Sequence, residues 1–335
     1  MSRRRVFITR PIPQEGIDRI KAIHTVELRK TDSPISRQEL VVGMKKAEAL
    51  LCILTDKIDA KLMDTAPQLQ VISNYAVGVD NIDIAAATER GIVVTNTPGV
   101  LDEAVAEHAL ALMFSVARRI VESDTFTRAK KYKAWMPMGF LGPQLKGKTL
   151  GIIGAGRIGS TLAEAAYQGL GMKVLYHDVQ SNTLIEKKAK AQYSSLSVLL
   201  KNSDVVSVHV PLLPSTRHLI DAKELRLMKK TAILINTSRG PVVAEKPLIR
   251  ALQNGRLRGA GLDVYECEPF IDCDTSDRLE LVKLNNVVLT PHTASATEEA
   301  RIAMSELAAT GVIDTLRNKK PINIVNPEVW SHRRK

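Results

Sequence analysis

Short apolar runs alternate with stretches of helical periodicity along almost the whole chain. In the first hundred residues the runs fall at 5–9, 24–28, 49–54, 71–74 and 92–95, with helical patterns between them, as at 13–23 and 82–90. Such runs suit strands covered on both faces, and the helices between them supply crossovers. A small parallel sheet wrapped by helices is predicted. The plan then repeats, with runs at 149–154, 173–176, 204–210, 232–236, 259–263 and 287–290. Between the two halves lies 101–120, with Glu103 and Glu107 near its start and Arg118 and Arg119 at its end. Those charges suit the helix dipole. Its interior is apolar nearly all round, which predicts a buried helix, one that another subunit can cover. Pro98-Gly99 before it reads as a hinge. A last helix over 297–317 can carry the chain back onto the first sheet. The expected fold is α/β, two parallel-sheet domains with a nucleotide-binding unit inserted in a flavodoxin-like one and a cleft between them. The expected boundaries are 1–100 plus 296–327 for the first domain, 101–295 for the second, and 328–335 as a tail.

One run opens onto a glycine turn. Gly154, Gly156 and Gly159 lie between the strand pattern at 149–154 and the helical pattern from Ser160. This is the order strand, turn, helix of a dinucleotide fingerprint. Gly154 permits the tight turn, Gly156 leaves room for a pyrophosphate, and Gly159 lets helix and sheet approach. The helix start, with Arg157 and Ile158, offers N–H groups and partial positive charge to phosphate. Asp178 follows Gly159 by nineteen residues, placed to accept from ribose hydroxyls and to repel a 2′-phosphate. No Arg follows it in 179–182, so NAD is expected rather than NADP.

Bulk properties narrow the choice. At 335 residues, two domains are expected. No apolar run approaches the roughly 20 residues of a membrane helix, and the run after Arg5 is too short for a signal peptide. The net charge of +11 is scattered, and aromatics are only 4%, which argues against nucleic acid and for a field that attracts anionic small molecules. Cys52, Cys267 and Cys273 form no CxxC pair, so free thiols and a cytoplasmic location are expected, with a Cys267–Cys273 redox pair as the lesser alternative. His24, His218 and His332 read as surface residues, His108 as a core or interface group, and His209 as a neighbour of the cofactor. No histidine has metal-ligand spacing, and no metal is expected.

Parallel sheets place ligands at the carboxyl ends of their strands. Arg239, Glu268 and His292 each follow a predicted strand of the second half. A guanidinium can clamp a carboxylate. A histidine can protonate the alkoxide formed as hydride arrives. A carboxylate facing that imidazole fixes its tautomer and stabilises its charged form. Such a set suits reduction of a 2-oxo acid by NADH, or the reverse.

Six ordered segments make the chain similar to a known family: Asn74 to Asp80, Asn96 to Gly99, Gly154 to Gly159, Asn236 to Gly240, Asp263 to Pro269, and Pro291 to Ser295. Over about 5–326 it resembles the D-isomer-specific 2-hydroxyacid dehydrogenases. The resemblance implies Arg239 as substrate clamp, His292 as acid/base and Glu268 as its partner. It implies that Val77 and Gly78 present backbone N–H groups to the substrate carboxylate, beside Leu54. Val210, Pro211, Thr237, Ser238, Arg239, Asp263, His292, Ala294 and Ser295 would border the cofactor. Two departures stand out: Ala294 replaces a usual glycine, and 270–276 reads as an insertion between Glu268 and His292.

Trp135-Met-Pro137 looks like the glyoxylate and hydroxypyruvate reductases, in which a tryptophan closes the neighbouring subunit's site. A homodimer is then expected, with Trp135 acting in trans; anchoring a loop on its own subunit is the alternative. Phosphite dehydrogenases are the runner-up, but they carry a Lys in the loop that here reads Ala76-Val77-Gly78. A member of another class, an NAD-sensing corepressor, would bind NADH with little turnover. No membrane or nucleic-acid partner is expected.

Overall fold

The computed structural model describes residues 3–268 and 280–335. The chain divides into two compact units, Met1–Leu101 with Ala296–Lys335, and Asp102–Ser295.

The first unit runs β1 (Arg5–Ile8), α1 (Gln14–Lys21), β2 (Thr25–Leu28), α2 (Arg37–Met44), β3 (Ala49–Ile53), α3 (Ala60–Asp64), β4 (Val71–Tyr75), α4 (Ile84–Glu89) and β5 (Val93–Thr95). Its five strands are all parallel, in the order β2-β1-β3-β4-β5, the flavodoxin-like order. Capping side chains start several of its helices; Ser36 and Glu39 form a full capping box on α2. One face of the sheet buries Leu50, Cys52, Ile72 and Val94 with Leu40, Met44, Leu62 and Met63. The helix Glu298–Leu316, α12 in chain order, covers the other face. The Ser73 hydroxyl donates to the Ala308 carbonyl at 2.9 Å, and a Cβ on Gly16 would lie 2.3 Å from the Ser305 carbonyl oxygen. Residues 328–335 pack on this unit too: the Arg334 guanidinium donates to carbonyls of Ala66, Pro67 and Leu69.

The second unit runs α5 (Asp102–Ala117), α6 (Ile120–Arg128), β6 (Thr149–Ile153), α7 (Arg157–Leu170), β7 (Lys173–His177), α8 (Thr183–Ala189), β8 (Gln192–Tyr193), α9 (Leu196–Asn202), β9 (Val205–Val208), α10 (Ala222–Leu227), β10 (Ile233–Asn236), α11 (Glu245–Gln253), β11 (Gly259–Leu262) and β12 (Val287–Leu289). Its seven strands are also parallel, in the order β12-β11-β10-β9-β6-β7-β8. The order reverses between β6 and β9, the switch point at which doubly wound sheets bind nucleotides. Alternate strand residues feed two cores. Leu150, Ile152, Ile233 and Ile235 face α5, α7 and α8. Ile153, Val206, Val208 and Leu234 face α9, α10 and α11.

Two elements depart from expectation. The helix expected over 101–120 ends at Ala117, and α6 starts after Arg119, whose φ is +55°. Arg119 is held in that left-handed conformation by a bidentate pair with Glu122 at 2.8 and 2.6 Å and by stacking 5.1 Å over the Phe140 ring. The apolar face of α5 buries Ala109, Leu112, Met113 and Val116 on its own unit. The short edge strand β8 carries too few residues to show a period in the sequence.

Candidate active site

The parallel strands bring the catalytic and cofactor candidates of the second unit to one edge of its sheet, whereas Trp135 lies in the segment between α6 and β6. Gly154 follows β6, Asp178 follows β7, Val210 and Pro211 follow β9, and Thr237, Ser238 and Arg239 follow β10. Glu268 lies beyond β11 and His292 beyond β12. In spatial order the edge therefore reads His292, Glu268, Arg239, Val210, Gly154, Asp178. From β7 to β10 there are three strand spacings, about 14 Å. A dinucleotide laid across β6 with its ribose at Asp178 would thus put its other end near Arg239.

The glycine turn separates protein needs from ligand needs. Gly154 has φ +94°, and a Cβ there would lie 2.8 Å from the His209 carbonyl carbon. On Gly159 a Cβ would meet the Gly154 carbonyl oxygen at 2.1 Å. A Cβ on Gly156 would meet nothing within 4 Å among the described residues, its own chain neighbours aside. Internal packing thus explains two glycines and leaves the third for something outside the chain, as a pyrophosphate requires. Asp178 braces the same turn: Ala155 N–H donates to its Oδ2 at 2.7 Å and Val179 N–H to its Oδ1 at 2.6 Å. The buried Thr237 hydroxyl finds no hydrogen-bond partner among the described residues. An orphaned hydroxyl at the strand end fits a site built for a further polar group.

His292 also adopts a left-handed backbone, φ +56°. Its N–H donates to the carbonyls of Asp263 at 2.9 Å and Thr290 at 3.1 Å, and its Nδ1 meets a carboxylate oxygen of Glu268. Both side chains are largely enclosed, 20% and 17% exposed. With Nδ1 engaged, Nε2 is the nitrogen available to a reacting group.

Asp263, fully buried, clamps the loop that carries His292. Its Oδ1 accepts from Thr290 Oγ1 at 2.6 Å and Thr293 N–H at 2.8 Å, and its Oδ2 from Ala294 N–H at 2.8 Å. Burial pushes this carboxyl up, but hydrogen bonds from His108, Thr290, Thr293 and Ala294 outweigh it and hold it below the usual carboxylate range. His108 Nε2 lies 3.0 Å from Thr290 Oγ1 and 3.5 Å from Asp263 Oδ1, so its N–H faces both oxygens. Ala294 is buried in this clamp and Ser295 ends the unit. Asn236, 1% exposed, organises the Arg239 turn by accepting from Ser238 N–H and Oγ and donating to the Arg239 carbonyl. His209, beside the glycine turn, is pushed down to about 4 by burial, and its Nε2 meets Ser207 Oγ at 2.8 Å.

On the first unit, Asn96 holds the Val77 carbonyl at 2.7 Å and Asn74 holds the Gly78 carbonyl at 2.8 Å, fixing both peptide units. Asn81 donates to the carbonyls of Ile53 and Asp56 and contacts Asn74, tying the Leu54 loop to the same network. Burial raises the Asp56 carboxyl, which accepts from Thr9 Oγ1 and Ile53 N–H.

Some sequence expectations need correction. His24 is buried, and His218 is partly buried and bonded to Glu266. Their partners, Arg4 N–H for His24 and Glu266 for His218, come from other strands or loops, so neighbouring residues gave no sign of them. Cys52 is a buried free thiol, whereas Cys267 is disulfide-bonded, unlike the free thiols expected. In the sequence alone, the odd cysteine count and the absence of a CxxC weigh against pairing. The insertion expected at 270–276 and Cys273 lie outside the described residues. No helix among the described residues is long and apolar enough to cross a membrane.

Comparison with known proteins agrees with this geometry. Residues 110–294 match the model of the D-isomer specific 2-hydroxyacid dehydrogenase NAD-binding domain. Over 329 residues the chain is 50% identical to a glyoxylate reductase from Thermococcus litoralis, covering 97% of each. A D-lactate dehydrogenase from Aquifex aeolicus, solved with NAD and lactic acid, is 32% identical and aligns with a TM-score of 0.84 over 96% of this chain and 99% of that one. An NADPH-dependent glyoxylate/hydroxypyruvate reductase from Sinorhizobium meliloti, solved with NADP and malonate, is 30% identical, with a TM-score of 0.83 over 100% of this chain and 99% of that one. The chain belongs to the D-isomer-specific 2-hydroxyacid dehydrogenase family, is an enzyme that binds a nicotinamide dinucleotide, and is glyoxylate reductase-like within that family.

Proposed function

We propose that the enzyme reduces a small 2-oxo acid, glyoxylate or hydroxypyruvate, to the 2-hydroxy acid with NADH. The observation that carries this is the His292–Glu268 contact at the same sheet edge as Arg239 and the glycine turn. Bound NADH supplies the hydride to the carbonyl carbon. His292 Nε2 gives its proton to the carbonyl oxygen, and Glu268 holds Nδ1 and balances the charge of the ring before transfer. Arg239 clamps the substrate, while Val77 and Gly78 offer N–H groups to its carboxylate and Leu54 limits its size. Gly154, Gly156, Arg157, Ile158 and Gly159 cradle the pyrophosphate. Asp178 takes the ribose hydroxyls, which favours NADH because a 2′-phosphate would meet its carboxylate.

A homodimer with Trp135 acting in trans is supported by the exposure of one segment. Helix α6 buries none of its residues in this chain, and Val121, Tyr132, Trp135 and Met138 after and within it stand exposed. Trp135 is 80% exposed, which leaves it little contact to anchor a loop on its own subunit.

A spectrophotometric panel tests the substrate and coenzyme: glyoxylate, hydroxypyruvate, pyruvate and larger 2-oxo acids with NADH and NADPH, and phosphite with NAD. Highest kcat/KM for glyoxylate or hydroxypyruvate with NADH is expected. Activity confined to phosphite, or NADH binding without turnover, contradicts the proposal.

A further inference from the structure

Glu268 stands beyond the end of β11 in a segment without regular secondary structure. Something other than a sheet ladder must hold it against His292. The Tyr265 hydroxyl donates to the Thr290 carbonyl at 2.9 Å, joining this segment to the His292 loop. Gly240, next to Arg239, packs so closely that a Cβ would lie 1.7 Å from the Tyr265 carbonyl oxygen. The backbone after Arg239 therefore lies directly on the backbone leading to Glu268.

Glu266 closes the arrangement. Glu245 N–H donates to Oε2 of Glu266 at 3.0 Å, and Glu266 N–H donates to Oε2 of Glu245 at 2.9 Å. His218 Nε2 donates to Oε1 of Glu266 at 2.5 Å, since an ionised carboxylate only accepts, and the Arg217 guanidinium lies 4.0 Å away. These two basic groups offset the proximity of two carboxylates. His218 itself sits at φ +52°, a conformation that costs a non-glycine residue about 1 kcal/mol or more. Its N–H donates to the Pro241 carbonyl at 2.8 Å, one residue past Gly240. The strained residue thus touches both arms: its backbone the Arg239 side, its imidazole the Glu268 side.

We propose that Glu266, anchored by His218 and by the N–H of Glu245, is a positioning residue that presents Glu268 to His292 and keeps that pair in register with Arg239. It acts through Glu268, so it rests on the role given to Glu268 above. The carboxylate is needed because both oxygens accept. A glutamine there has one accepting oxygen; with that oxygen on Glu245 N–H its amide must donate to His218 Nε2, which forces the other imidazole tautomer and removes the negative charge that faces His218 and Arg217.

The test is a double-mutant cycle on the full-length enzyme with NADH and glyoxylate. Glu266→Gln, Glu268→Gln and the double variant are compared by kcat, KM, NADH dissociation constant and thermal midpoint. Glu266→Gln is expected to lower kcat roughly tenfold, as a displaced catalytic group does. NADH affinity and thermal midpoint stay near those of the wild type, and the double variant is no slower than Glu268→Gln. His218→Ala gives a smaller loss of kcat, and His218→Gln, which keeps a donor, restores most of it. Wild-type kcat in Glu266→Gln, losses that multiply in the double variant, or a matching loss of NADH affinity and thermal midpoint would overturn the proposal. A wild-type kcat for Glu268→Gln alone sinks the role of Glu268 itself, whereas a slow Glu268→Gln beside a wild-type Glu266→Gln sinks only the brace.

Discussion

His292 turns Nδ1 onto the carboxylate of Glu268, 24 residues earlier in the chain, from a backbone in the left-handed region. That φ is unfavourable for a histidine and persists because Asp263 fixes the loop on both sides of it: the Asp263 carbonyl accepts the His292 N–H, and its carboxylate takes Thr290, Thr293 and Ala294. Strain held by a buried clamp fits the proton-donor role proposed for His292.

The three glycines of the turn should fail in different ways. Gly156→Ala adds a methyl that meets nothing within 4 Å among the described residues beyond its own chain neighbours. It should keep the wild-type thermal midpoint and lose NADH affinity, roughly tenfold or more. Gly159→Ala puts a Cβ 2.1 Å from the Gly154 carbonyl oxygen and should chiefly destabilise the protein, by about 1–3 kcal/mol. Differential scanning fluorimetry and NADH fluorescence titration separate the two. Equal losses of stability in both variants would contradict the division of roles.

Asp178 does two jobs, accepting from the turn at Ala155 N–H and, as proposed, from ribose. Asp178→Ala should therefore weaken NADH binding and raise the ratio of NADPH to NADH efficiency at once. Initial rates with each coenzyme give that ratio, and an unchanged ratio counts against the ribose role.

The exposed Trp135 makes a claim about a second subunit. Mixing an inactive Arg239→Ala enzyme with a slow Trp135→Ala enzyme should form hybrid dimers in which one site carries a native Arg239 and a native Trp135. Activity above the sum of the two parents is expected after subunit exchange. Strict additivity in enzyme shown to have exchanged would place Trp135 in cis.

His209 makes an acid-stability claim. Burial lowers its imidazole from 6.5 to about 4. Between those values the unfolded chain binds a proton that the folded chain refuses, so stability falls as pH drops through that window. Urea unfolding at pH 7 and pH 4.5 should show a smaller pH difference for His209→Gln than for the wild type. An identical difference in both would mean that the imidazole is not held neutral.

Much of this architecture was legible in the chain. Apolar runs such as Ala49–Ile53 and Ile233–Asn236 are buried on both faces, and their short length favours a strand over a buried helix. The glycine turn reads locally, because strand, turn and helix are contiguous. Arg239, Glu268 and His292 could be placed at strand ends for the same reason. What escaped depends on contacts between distant segments. His218 meets Glu266 across 48 residues and His108 meets Thr290 across 182. Neither pairing has a periodicity or a spacing that one sequence displays. The break at Arg119 has no glycine or proline to announce it; Glu122 and Phe140 hold it from outside.

Single-turnover reduction of glyoxylate by His292→Ala tests the central claim most directly, with NADH binding measured on the same sample. Removing a positioned proton donor should slow the hydride step by about 10²–10⁴-fold, while NADH binds as in the wild type. A His292→Ala enzyme that binds NADH and reduces glyoxylate at the wild-type rate would contradict the account.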